Sequence, residues 1–248
     1  MSRPALSVVI PAYNEALRLP ATLARVREHL AGRGLAHEIV VVDDGSTDAT
    51  AAVARAGGDL VRLLRHEPNR GKGYSVRRGM LAATGERRLM TDADLSTPIE
   101  ALAGLEAEID RGVDVAIGSR AVAGARIEVH QPAYREALGR LFNVFVQTLL
   151  LPGLADTQCG FKLFTAAAAE TAFGACRLDG FSVDVEALYV ARRRGLRIAE
   201  VPVVWRNDAA TRVGLGGGGA AFVDLLRIRL FALRGAYGPA GAGGAPPT

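Results

Sequence analysis

The sequence predicts an α/β fold, with a mostly parallel central sheet and helices on both faces. Three observations carry this expectation. Short apolar runs recur at Leu6 to Ile10, His37 to Val42, Leu60 to Leu64, Arg87 to Thr91 and Val113 to Ile117. Segments with helical character fall between them, at Ala49 to Ala56, Lys72 to Ala83 and Pro98 to Asp110. The runs are near-continuously apolar, as expected of parallel strands covered on both sides by crossover helices.

Leu6-Ser7-Val8-Val9-Ile10 stops at Pro11 and is too short for a helix, so it reads as a buried strand. The turn Pro11-Ala12-Tyr13-Asn14-Glu15 follows, and then Leu17, Leu23, Val26 and Leu30 at helical spacing. The second strand runs into Asp43-Asp44-Gly45-Ser46-Thr47-Asp48. There Gly45 supplies a positive φ, and Ser46, Thr47 or Asp48 caps the next helix. The third strand leads to His66-Glu67-Pro68-Asn69-Arg70-Gly71-Lys72-Gly73, and the fourth to Asp92-Ala93-Asp94-Leu95-Ser96. Loops that follow parallel strands open on one edge of the sheet, where ligands sit. These four loops are therefore expected to meet at one site.

Composition narrows the classes. A chain of 248 residues can bury a substantial core, and 49% of it is hydrophobic in short dispersed runs. No window of about 20 apolar residues predicts a membrane span. Met1-Ser2-Arg3-Pro4 leads straight into a strand-like run, so no secretory leader is expected. The two cysteines, Cys159 and Cys176, fit reduced thiols and a cytoplasmic location, with no zinc spacing. A net charge of +4 suits anionic substrates or a lipid surface. The basic residues are not interleaved with aromatics, so nucleic acid is not expected as a partner.

Asp92 and Asp94 are the central chemical feature. Two carboxylates one residue apart at a strand end raise each other's pKa unless a cation joins them. Hard oxygen ligands suit Mg²⁺ or Mn²⁺ carrying a diphosphate. An Asp-rich helix-capping turn is the alternative for the pair alone, and three further loops at the same edge favour the site. Asn69-Arg70-Gly71-Lys72-Gly73 has the charge and freedom of an anion loop without P-loop spacing, and no GxGxxG follows the first strand.

The motifs at Pro11 to Glu15, Val42 to Asp48, Gly71 to Gly73, Asp92 to Asp94 and Gly118-Ser119-Arg120 resemble, in order, those of the family 2 glycosyltransferases, which have the GT-A nucleotide-sugar fold. The runs Asp156-Thr157-Gln158-Cys159-Gly160-Phe161-Lys162-Leu163-Phe164 and Phe181-Ser182-Val183-Asp184-Val185-Glu186 resemble its dolichyl- or polyprenyl-phosphate glucosyltransferase branch. The resemblance implies that Pro11, Tyr13 and Glu15 line a nucleoside pocket, and that Asp43 or Asp44 receives uracil or ribose donors. It also implies that Lys72 contacts base or diphosphate and that Asp92 and Asp94 take the metal. In mannose-transferring relatives a Gln stands two residues beyond the second Asp, where this chain has Ser96.

For the acceptor half, the resemblance places Arg120 and Arg135 around an acceptor phosphate, and Lys162 joins them as a basic group. The Ser expected four residues after Arg135 is Gly139 here, and Phe181-Ser182 stands where relatives carry a Trp-containing segment. Gln158 faces the sugar, and Cys159 reads as a small buried filler. Asp156 has two readings. A hydroxyl acceptor needs a carboxylate to take its proton, whereas a phosphate, mostly dianionic near pH 7, needs positioning. In the second case Asp156 orients Lys162 or the sugar hydroxyls. Asp184 and Glu186 read as capping residues at a helix start. Tyr134 to Leu151 reads as a helix, taken as core, with a membrane interface as the alternative.

Residues 1–210 are thus expected to form the catalytic domain, with a donor half to about 120 and an acceptor half from about 121. A Gly-rich hinge at 211–219, an amphipathic helix at 220–235 and a disordered tail at 236–248 follow. Phe222, Leu225, Leu226, Leu230 and Leu233 are expected on one side of that helix, facing an anionic bilayer or docked on the domain. The functional expectation is an inverting, metal-dependent transfer of a hexose, with glucose favoured, from a UDP-sugar to polyprenyl phosphate, with peripheral contact at the inner membrane face. A soluble hydroxyl acceptor and a non-catalytic nucleotide-sugar module are the rivals.

Overall fold

The structure is a computed structural model that describes residues 3–207 and 216–238. The expected strand–helix alternation is present: β1 (Leu6–Ala12), α1 (Leu19–Ala31), β2 (His37–Asp43), α2 (Thr50–Arg55), β3 (Val61–Arg65), α3 (Lys72–Ala82) and β4 (Arg87–Met90). A 3-10 turn at Ile99–Ala101 leads into α4 (Leu102–Asp110), and β5 (Val115–Ser119) follows. The second half contains β6 (Arg126–Val129), α5 (Ala133–Leu149), β7 (Lys162–Thr165), α6 (Ala166–Ala175), α7 (Val183–Arg193), β8 (Ile198–Pro202), β9 (Val204–Arg206) and α8 (Gly216–Leu233).

The main sheet has seven strands in the order β3-β2-β1-β4-β7-β5-β8. All its pairings are parallel except those of β7, which runs antiparallel between β4 and β5. β6 and β9 form a separate parallel pair. The strand order reverses beside β1 and β4, so a crevice opens at their carboxyl ends.

Along β1, Val9 packs into one core while Val8 and Ile10 pack into another on the opposite face. α1 and α4 cover the second core; α3, α6 and α7 cover the first. Fully burying a side chain such as Ile10 or Leu163 is worth about 1.5–3 kcal/mol, which explains why these strands tolerate so few polar residues. Leu17 is 91% exposed, and Leu19 takes its expected place in the core.

Three expectations are corrected. α5 buries only Phe142 and Val146 among its residues, so it is not a core helix. α8 begins at Gly216, inside the expected hinge, and residues 211–215 and 239–248 lie outside the described residues. Leu225 is buried whereas Leu226, Leu230 and Leu233 are exposed, so the apolar residues of α8 occupy two faces and not one.

Candidate active site at the carboxyl edge of the sheet

The four loops after β1 to β4 meet around one cavity of about 440 Å³. Its lining includes Pro11, Tyr13, Glu15, Asp44, Lys72, Asp92 and Asp94, seven of the residues singled out from sequence. Arg18, Asn69, Ser75 and Phe181 also line it. Arg18 holds the Glu15 carboxylate through both oxygens at 2.6 Å. Ser75 Oγ is buried with no hydrogen-bond partner among the described residues, which leaves it available to a ligand. A single serine inside a helix carries no sequence signal of this kind.

The loops brace one another through short polar side chains. Asn14, at φ 57°, receives the Thr47 amide on Oδ1 at 2.9 Å, and its own amide donates to Ser46 Oγ at 2.9 Å. Gly45 has the expected positive φ of 71°, and a Cβ there would press on the Asn69 amide. The two aspartates of this motif separate by function. Asp43 is fully buried, accepts the Ser46 amide at 3.0 Å and lies 3.2 Å from Arg65 Nε. It secures the turn and does not line the cavity. Asp44 lines the cavity, and its carboxylate is held by His66 Nε2 at 2.7 Å and by the amides of Arg70 and Gly71 at 2.7 and 2.9 Å. His66 was invisible to motif reasoning, since one isolated histidine has no pattern.

The aspartate pair lines the same cavity. Leu95 takes a left-handed φ of 48°, and the chain turns so that the Ser96 amide donates to Asp94 Oδ1 at 2.9 Å. Ser96 thus supports the carboxylate from its backbone. Burial, and then the charge of Asp92, push the Asp94 carboxyl above the ordinary carboxylate range. Lys72 Nζ lies 2.7 Å from Asp92 Oδ1 and 3.9 Å from Asp184 Oδ2. Burial disfavours its ammonium, but Asp92 and then Asp184 outweigh burial and raise the Lys72 pKa. Asp92 packs against Gly160, where a Cβ would overlap its carboxylate. That close approach gives a physical reason for the glycine in the Asp156–Phe164 run.

These residues fit a divalent cation. The acidic pair carries hard oxygens, one of them disfavoured as an anion by its neighbour, and a lysine ammonium already bonds the other. Among the described residues no cluster of three or more His, Cys, Asp or Glu groups forms a closed cage. The pair would therefore supply only part of a cation's coordination shell.

The acceptor-side residues are arranged differently from expectation. Lys162 is 1% exposed and donates to Asp184 Oδ1 at 2.7 Å and to the Cys159 carbonyl. It therefore neutralises buried Asp184 and does not face a ligand; the capping reading of Asp184 gives way to this pair. Asp156 orients Arg120 and not Lys162. It accepts Arg120 Nε at 2.7 Å, Arg120 Nη2 at 2.9 Å and the Arg120 amide at 3.0 Å. Burial acts to raise the Asp156 pKa, but the Arg120 contacts outweigh it and hold the carboxyl below the ordinary range. The guanidinium of Arg120 stands over the Trp205 ring at 5.3 Å. Gln158 is exposed, and its backbone N–H donates to Asp156 Oδ1 at 3.1 Å. Arg135 lies on α5, with Nε 3.2 Å from the Tyr134 hydroxyl, and does not line the cavity. Glu186 caps no helix end; it is fully buried and accepts the amides of Arg177 and Leu178 and the Tyr237 hydroxyl.

Comparison with known proteins covers both halves. The chain matches the model of glycosyl transferase family 2 over residues 7–173, from β1 into α6. It is 36% identical over 249 residues to the dolichyl-phosphate beta-glucosyltransferase of Homo sapiens, spanning 94% of this chain and 77% of that protein. The corresponding protein of Dictyostelium discoideum is 34% identical over 248 residues, spanning 94% and 76%. Among solved structures, glucosyl-3-phosphoglycerate synthase from Mycobacterium tuberculosis in complex with Mn²⁺, UDP and phosphoglyceric acid superposes with a TM-score of 0.70 at 21% identity, covering 97% of this chain and 81% of that one. Mannosyl-3-phosphoglycerate synthase from Rubrobacter xylanophilus gives 0.70 at 22% identity, covering 98% and 79%. The shared architecture is the GT-A fold, and the chain, with its four motif loops inside the matched region, belongs to the family 2 glycosyltransferases.

Proposed function

We propose that the chain transfers glucose from UDP-glucose to the phosphate of dolichol or a related polyprenol, with inversion at the sugar C1. The observation that carries the acceptor class is the bidentate pairing of Asp156 with Arg120. A general base for a hydroxyl acceptor needs a free carboxylate with a pKa near the working pH. Asp156 is engaged on both oxygens and held below the ordinary range. A phosphate acceptor is already anionic and asks for positioning and positive charge instead. Arg120, oriented by Asp156 and Trp205, is the group suited to that task. The relatives named dolichyl-phosphate beta-glucosyltransferase support the reading, because they align along 94% of the chain, acceptor half included.

On the donor side, Tyr13, Glu15 and Asp44 border the space for the nucleoside, and Lys72 brings positive charge to the diphosphate. Asp92 and Asp94 would hold Mg²⁺ or Mn²⁺, which when bound acts as a Lewis acid on the departing diphosphate. The Mn²⁺ and UDP named with a structural neighbour support this choice. An acceptor phosphate oxygen forms a bond to C1 while the bond from C1 to the diphosphate oxygen breaks, and its electron pair leaves with UDP. An acceptor panel tests the reading, with radiolabelled UDP-glucose offered to dolichyl phosphate, dolichol and 3-phosphoglycerate in detergent. Label is expected on dolichyl phosphate. Label on dolichol or 3-phosphoglycerate instead would favour a hydroxyl acceptor.

A further inference from the structure

α8 is apolar on two opposite faces. Leu225, Ile228 and Ala232 are buried against the domain. Val223, Leu226, Leu230 and Leu233 are 50%, 62%, 42% and 81% exposed. At 3.6 residues per turn this second set spans about 80° of the circumference, roughly opposite the buried set. A surface helix normally turns polar residues outward, so the stripe calls for an occupant.

The stripe is not isolated. α5 packs on α8, with Phe142 and Phe145 both edge-on to Phe222 at 5.2 and 5.4 Å. Tyr134, Leu138, Leu141, Val144 and Phe145 of α5 are exposed as well. Adjacent apolar stripes on two neighbouring helices form a patch of the kind that marks an interaction site. The inner side of α8 also lies beside a cavity-lining segment. Asp224 of α8 lies against Gly180, where a Cβ would be 3.7 Å from Asp224 Oδ2, and the next residue, Phe181, lines the cavity while half exposed.

Charge identifies the occupant. Helical geometry puts Arg229 on one side of the α8 stripe and Arg227 and Arg234 on the other. All three are exposed. Asp224, the one acidic residue of α8, is buried and lies 3.1 Å from Arg227. An apolar stripe bordered by arginines complements an anionic bilayer, with leucines entering the acyl boundary and arginines meeting lipid phosphates. A two-fold pairing of the patch with a second copy would instead bring like-charged rims together. Among the described residues no helix is long and apolar enough to cross a membrane, so contact through this patch is interfacial.

We infer that the outer faces of α5 and α8 form a docking surface for anionic bilayers that brings Phe181 and the cavity mouth to headgroup level. Docking needs no lipid-linked acceptor and stands apart from the acceptor class proposed above. The test is sedimentation of the full chain with vesicles of phosphatidylcholine alone or with about 30% phosphatidylglycerol, with no dolichyl phosphate present. Light scattering reads the oligomeric state, and UDP affinity serves as the folding control. The wild type is expected to partition at least about tenfold more strongly onto the anionic vesicles. Leu226→Glu with Leu230→Glu, and separately Arg229→Glu with Arg234→Glu, are each expected to lose about tenfold of that partitioning with UDP affinity unchanged. The arginine variant keeps the test open if the leucine variant fails to fold. Wild-type protein that stays in the supernatant with anionic vesicles would overturn the inference, as would folded variants that sediment like wild type or a wild-type dimer that the leucine variant dissociates. Vesicle binding without transfer to dolichyl phosphate would count against the acceptor reading alone.

Discussion

Lys72 Nζ bonds Asp92 Oδ1 at 2.7 Å. Lys72 also faces Asp184 at 3.9 Å, and Asp184 in turn pairs with buried Lys162 at 2.7 Å. Charges thus alternate from the interior to the cavity, ending on the carboxylates suited to a cation. Lys72 has a raised folded pKa, so its stabilising contribution is fully present below the ordinary lysine value of about 10.4 and is lost only as pH rises through the folded value.

Lys72 and a divalent cation compete for Asp92 in the donor-free protein. Lys72→Met is therefore predicted to bind Mn²⁺ more tightly in a direct titration, because a resident positive charge is gone. The same variant is predicted to lose about 10²-fold in turnover, since charge aimed at the leaving diphosphate is gone too. Weaker Mn²⁺ binding would show that Lys72 organises the carboxylates and does not compete for them.

Asp94 carries an anion that burial and Asp92 disfavour. Asp94→Asn is predicted to melt no lower than wild type in EDTA, because removing a disfavoured charge does not weaken the fold. Mn²⁺ should raise the melting temperature of the wild type by ligand linkage and leave the variant unmoved. Turnover of the variant should fall by about 10²–10³-fold. A variant that keeps full activity would remove Asp94 from the chemistry.

Asp156 is buried and its partner Arg120 is partly exposed, so removing Asp156 costs less than breaking a fully buried pair, about 1–3 kcal/mol. Asp156→Ala is predicted to be destabilised on that scale in urea denaturation. The Asp156 pKa is depressed in the fold. Its contribution is therefore present above the unfolded value of about 3.9 and is lost as pH falls through the lower folded value. With a phosphate acceptor, kcat/KM across about pH 6 to 8 should carry no ionisation from this residue. An acid limb there that Asp156→Asn abolishes would make Asp156 a general base.

Gly160→Ala places a methyl group where the Asp92 carboxylate lies. The carboxylate must shift from its present place beside Lys72, and misplacement by about 1 Å can cost about 10²-fold in rate. The predicted variant stays folded by circular dichroism, loses activity on that scale and binds Mn²⁺ more weakly.

Much of this was legible in the sequence because strand-end loops in a parallel sheet converge whatever their separation along the chain. Pro11, Asp44, Lys72 and Asp92 could be brought together from strand order alone. The functions of paired charges were not legible. Nothing in the sequence distinguishes Asp43, which holds a turn, from Asp44, which faces the cavity. Lys162 reads as a basic group beside a motif until Asp184 is placed 2.7 Å from it. β7 was missed because its residues lie inside a motif already read as chemistry, and because one antiparallel strand in a parallel sheet leaves no periodic signature. α8 defeated a one-face reading because it is apolar on both.

The most direct test of the central claim is transfer itself. Purified protein is incubated with radiolabelled UDP-glucose and dolichyl phosphate, with Mn²⁺ or with EDTA, and label is counted in the organic phase. Label that enters the lipid with Mn²⁺ and is lost with EDTA is the predicted result. UDP-glucose that binds while no label reaches the lipid under either condition would contradict the proposed activity.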